Sequence, residues 1–193
     1  IVSCTAEPIE TVGNIDSKVG VEKSKKTARL AQNLTPENPA NSYDLAGKLH
    51  NDILDIYLNG TNQYNTIAEI NQQIEAISDE NSSLILLNFE TNQPADLAEM
   101  QEIVDDPHAK LDEIISKSSM TNGAKISLSN FMNDVLLWEN SPYEDIYQSI
   151  VSYEQSVMSD ALFSSEDKRI ILTSSSITRY SLYFEKERKD KDW

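Results

Sequence analysis

The side chains here that could do acid–base, nucleophilic or metal chemistry are two histidines, one cysteine and a surplus of carboxylates. His108 sits in "DDPHAKLDE", four residues before Asp112. On a helix that spacing puts both on one face, the geometry of a two-ligand metal site. Asp105 would supply a third donor, and such an oxygen-rich set suits calcium as well as zinc. The same stretch has a plainer reading. Asp106 before Pro107 is an N-cap followed by proline at the first helical position, and acids at a helix start complement its dipole without a metal. His50, in "KLHNDILD", has Asp44, Asp52 and Asp55 nearby in sequence. Its helical neighbours are instead Ala46, Gly47, Ile53 and Leu54, which makes it a structural residue rather than an acid–base catalyst. The "TSSS" at 173–176 falls inside a helical pattern, with neither the glycines of a nucleophile elbow nor a histidine close by. The sequence holds no phosphate-binding glycine loop, CxxC, HExxH or EF-hand loop. No catalytic residue is assigned, and an enzyme is the least favoured class.

The one thiol is Cys4, in "IVSCTAEP". A single cysteine makes no internal disulfide. After it runs a polar stretch containing "TVGNIDSKVGVEKSKKTARLAQNLTPENPANS", with almost no hydrophobic periodicity. Ile1, Val2, Ser3 and Cys4 resemble the lipobox of bacterial lipoproteins, with Ser3 as the small residue and Ile1 in place of the commoner leucine. The resemblance implies lipidation at Cys4, attachment to the bacterial cell envelope at the outer membrane or cell surface, and a tether formed by the residues that follow. Acyl chains contribute about 0.8 kcal/mol per buried CH₂, so two or more anchor stably. "NPANSYDLAGKLHNDILD" and "LTSSSITRYSLYF" are similar to small secreted and lipoprotein sequences of Bacteroidota, which implies the same location and a helical fold. Three N-x-S/T sequons, at 33, 59 and 81, are unsurprising in so Asn- and Ser-rich a chain.

Charge is uneven. The whole chain carries −16, but residues 33–162 hold twenty-two acids against four bases. Such a surface repels phosphate backbones, which argues against nucleic acid as a partner. It points to a solubilising coat, a cation or a basic protein partner. The longest apolar run is "LILL" at 84–87, far short of a membrane span.

Periodicity supplies the elements that would position any site. Residues 1–40 read as lipidation site and linker, broken at Pro36 and Pro39. From 41 to 193 the pattern is all-α: an antiparallel bundle of six to eight helices. Ser42 is the expected cap of the first, with Leu45, Leu49, Ile53 and Ile56 on its face. Ile67, Ile70, Ile74 and Ile77 mark the second. "LILL" reads as a helix turn. Leu97, Met100, Ile103 and Val104 mark the next, and Leu111, Ile114 and Ile115 the one capped by Asp106. "MTNGAK" reads as a turn before the helix of 127–140, with Leu128, Phe131, Met132, Val135, Leu136 and Trp138 on its face. Ser141, Pro142 and Glu144 are the expected cap, first residue and capping-box acid of a helix whose stripe runs from Tyr143 to Leu162. The last starts at Ser164 or Ser165, with Ser174 and Ser181 as small residues permitting close helix approach.

Aromatic residues gather in the last three helices. Core packing explains them. An exposed subset, Trp138, Tyr143, Tyr147 and Tyr183, would instead make a binding surface. The expected function is a non-enzymatic, lipid-anchored envelope protein serving as adaptor or subunit, with no cofactor and one envelope protein as partner. The alternative is an envelope protein that binds calcium or a glycan.

Overall fold

Polar caps set the helix boundaries in the computed structural model, which describes residues 34–60, 66–80, 96–138 and 141–191. Cys4, the linker before residue 34 and the "LILL" run lie outside the described residues. The described residues form seven helices and no strand: α1 (Asp44–Asn59), α2 (Ile67–Glu80), α3 (Leu97–Asp105), α4 (Pro107–Lys117), α5 (Asn122–Leu137), α6 (Tyr143–Ser159) and α7 (Ser165–Lys191). No described helix is long and apolar enough to cross a membrane. The all-α fold is therefore the one the periodicities predict.

Several starts follow the expected chemistry. Asp106 accepts from the Ala109 amide and Pro107 opens α4. At α7, Ser164 Oγ accepts from the Asp167 amide while Asp167 accepts from the Ser164 amide, a reciprocal box. Others differ. Tyr43, not Ser42, is the cap position of α1, and Pro142 that of α6; neither makes a side-chain cap bond. Asn122–Gly123, read as a turn, open α5, because Thr121 Oγ1 accepts from the Ala124 amide. Thr121 also donates twice to Asp167, through its amide and its hydroxyl. One carboxylate thus ties together the starts of α5 and α7. Helix α6 stops at Ser159, and Leu162, expected on its stripe, is 87% exposed.

Helix α7 is the spine, with α1, α5 and α6 packed on it. Ile146, Ile150 and Val157 of α6 meet Ile171 and Leu172 of α7 and Leu128 and Phe131 of α5 in the main core. Phe131 stacks on Tyr153, with centroids 4.4 Å apart. Helices α6 and α7 run antiparallel: Tyr143 bonds to Arg179, Glu154 to Ser175, and Lys168 to Met158. Helix α1 runs parallel to α7, since Gly47 pairs with Ser176 and Asn51 with Tyr180. Over a hundred residues separate α1 from α7, so no short loop dictates an antiparallel approach. Gly47 makes that approach: a Cβ there would lie 2.5 Å from the Ser176 carbonyl oxygen and collide with the Tyr180 ring.

The packed unit begins at Thr35. Residues 35–40, assigned by composition to the linker, belong to it. Pro36 is buried and Asn38 is only 5% exposed. Buried polar side chains read as linker unless their partners are known, and these partners lie over a hundred residues away.

Candidate functional site

The densest gathering of ionisable groups lies at the junction of α1, α6, α7 and the 35–43 segment. Position 154 sits four residues after Ile150 and three before Val157, on the buried stripe of α6, and it is a glutamate. Glu154 and Arg179 are both fully buried. Asn38 Nδ2 donates to Glu154 Oε2 at 2.5 Å. Asn41 Nδ2, Ser175 Oγ and Arg179 Nη2 donate to Oε1 at 2.9, 2.9 and 3.2 Å. The same Arg179 nitrogen reaches Asp44 Oδ1 at 2.5 Å, and Tyr180 Oη donates to Asp44 Oδ2. The guanidinium carbon lies 5.5 Å from the Tyr180 ring centroid, within cation–π reach.

Electrostatics follow from this enclosure. Burial works against the charge on Arg179, but Glu154 and Asp44 outweigh it and raise its pKa further. Burial first, and then the Asp44 charge, pushes the Tyr180 phenol up. Burial pushes Tyr143 up as well. Both Glu154 oxygens are taken by internal donors, and neither Glu154 nor Arg179 touches solvent. The cluster is a clasp joining four chain segments, with Asp44, 19% exposed, as its charge open to solvent.

The two histidines lie elsewhere. His50 is half-buried, its Nδ1 3.1 Å from Asn51 Oδ1. Asp52 is taken by Lys48 at 2.6 Å and Asp55 accepts from Asn59. His108 and Asp112 are exposed on α4, and Asp105, at the end of α3, accepts from Gln101. Among the described residues no three His, Cys, Asp or Glu side chains are grouped to hold a metal ion. The cation amid the acids of this region is Lys110. Its side chain is 9% exposed, with Nζ 2.8 Å from Glu102, 3.3 Å from Glu99 and 3.4 Å from Glu113. Glu102, then Glu99 and Glu113, raise its pKa against the effect of burial.

The aromatic residues proposed as a surface divide. Tyr143 is buried and donates to the Arg179 carbonyl; Tyr147 donates to the Glu37 carbonyl at 2.8 Å. Tyr183 packs edge-on against Tyr143, with Lys186 5.6 Å from its centroid. Trp138 sits edge-on to Phe131. Trp138 and Tyr143 line one shallow groove of about 260 Å³ with Ile146, Leu182 and Lys186. Two of the four phenol and indole groups therefore have internal work as hydrogen-bond donors.

Sequence reasoning missed the clasp. On α7 the buried positions are Asp167, Ile171, Leu172, Ser175, Ser176, Arg179 and Tyr180, not Ser174 and Ser181. Their spacing is regular, but an arginine on an apolar stripe reads as solvent-facing. The legible signal was Glu154, an acid in step with Ile146, Ile150 and Val157.

No family model, curated protein or solved structure matches this chain.

Proposed function

We propose that this is a lipid-tethered adaptor of the bacterial cell envelope, anchored through Cys4 and recruiting a protein partner with its helical body. The observation that carries the adaptor reading is α3. Its glutamates turn toward Lys110 of α4, while Leu97, Ile103 and Val104 are 43, 42 and 66% exposed. Contiguous apolar surface left to solvent marks interaction sites. The inward placement of the clasp supports the same reading, since its charges hold segments together.

The anchor reading rests on the lipobox-like Ile1–Cys4 and the polar stretch after it. Mass spectrometry of the native protein, extracted from its membranes, tests it. The expected species begins at Cys4 and carries acyl groups on that residue. Unmodified Cys4 with Ile1, Val2 and Ser3 still attached would overturn the anchor.

A further inference from the structure

Helix α3 leaves apolar side chains in solvent: Leu97, Ile103 and Val104 are 43, 42 and 66% exposed, beside a half-buried Met100. In a helix packed on a core, the apolar stripe faces the body and the acids face water. Here none of the nine residues of α3 is buried. It meets α4 through an ionic link, Glu99 and Glu102 to Lys110, and it also packs against α2. At 100° per residue, Leu97, Met100 and Val104 fall within about 60° of one another, with Ile103 beside them. Ile114 of α4 adds a further exposed apolar side chain.

What would cover this surface is indicated by charge. Residues 96–117 hold seven acids and two bases, and one of those bases, Lys110, is already enclosed by three glutamates. Asp96, Asp105, Asp106 and Asp112 are exposed on the same stretch of chain. A second copy of the chain, itself at −16, would bring like charge against like. A cationic amphipathic helix has both complements: an apolar row at i, i+3, i+4 for the stripe and lysines or arginines for the rim.

We infer that the outward apolar stripe of α3, with its acidic rim, is the docking face for a basic amphipathic helix of a protein partner. This rests on the adaptor reading above but fails separately from the anchor. Unmodified Cys4 leaves the docking face intact, and loss of docking leaves the lipid in place.

The test uses the full chain and an 18-residue amidated Leu/Lys peptide with leucines at i, i+3 and i+4, beside a scrambled isomer of equal charge. Fluorescence anisotropy at physiological salt should show binding to the chain, at least tenfold weaker for the scrambled isomer. The double variant L97S/V104S, shown by an unchanged circular dichroism spectrum to be folded, should lose at least tenfold in affinity. Binding should weaken as salt rises. Equal affinity for both peptides, or for chain and variant, would overturn the proposal. So would no binding at all, or sedimentation showing self-association that L97S/V104S abolishes. A cross-linker placed at position 104 that captures another part of the same chain, and excludes the peptide, would also overturn it.

Discussion

Arg179 and Lys110 each face more than one carboxylate, and their settings differ at every other point. Arg179 is fully buried, shares Glu154 with two asparagines and a serine, and holds α1, α6, α7 and the 35–43 segment at one place. Lys110 joins two neighbouring helices through glutamates that are 39–62% exposed. A buried pair contributes little net stability, because desolvating two ions offsets their attraction, but an arrangement that strands one of them costs several kcal/mol. The clasp therefore penalises packings that separate Arg179 from Glu154. The Lys110 cage fixes α3 against α4 only weakly, through glutamates that stay half in solvent. One region closes the molecule and the other leaves apolar side chains in solvent.

The largest effect should come from Arg179→Met. It leaves Glu154 buried without its counter-charge, and the loss in urea unfolding should be about 3–5 kcal/mol. A loss below about 1 kcal/mol would mean the clasp is not closed. Gly47→Ala attacks the same junction through space rather than charge. The new methyl meets the Ser176 carbonyl and the Tyr180 ring, so overpacking should cost about 1–3 kcal/mol.

Asp167 gives the comparison a third case, a single buried carboxylate served by neutral donors. Burial opposes its ionisation, but the Thr121 and Ser164 amides and hydroxyls outweigh that and lower its pKa. A carboxylate lowered on folding contributes stability above its ordinary pKa of about 3.9 and loses it as pH falls through the folded value. Thermal melts at falling pH should show this acid loss. Asp167→Asn should cost about 1–2 kcal/mol at neutral pH and flatten the acid limb. Lys110→Met should have the smallest effect, a fall in Tm of about 2 °C or less that shrinks further as salt rises. A salt-insensitive loss as large as that of Arg179→Met would erase the distinction between the two regions.

The contrast also explains what the sequence disclosed. Asp106–Pro107 and Ser164 were legible because caps act on amides two or three residues away. The isoleucine stripe of α6 was legible because buried apolar residues keep the helical period. Arg179, Asn38 and Asn41 were not, since their burial depends on Glu154, reached only after the fold closes. The start of α5 was read as a turn because Asn-Gly is a turn signal, and a neighbouring threonine cap overrode it. The parallel setting of α1 on α7 depends on one glycine meeting one serine, which no periodicity encodes. The apolar stripe of α3 was legible, but the exposure of Leu97, Ile103 and Val104 was not, because the amphipathic pattern is the same whether or not a neighbour covers it.

The central claim is that the molecule is closed at Arg179 and open at α3. Native-state hydrogen exchange, with and without the Leu/Lys peptide, tests it most directly. Amides of 150–157 and 171–180 should exchange only through global unfolding, equally with and without peptide. Those of 97–105 should exchange orders of magnitude faster alone and slow at least tenfold when the peptide is present. Protection of 97–105 equal to the core in the free chain, or peptide protection that falls on 171–180 instead, would contradict the account.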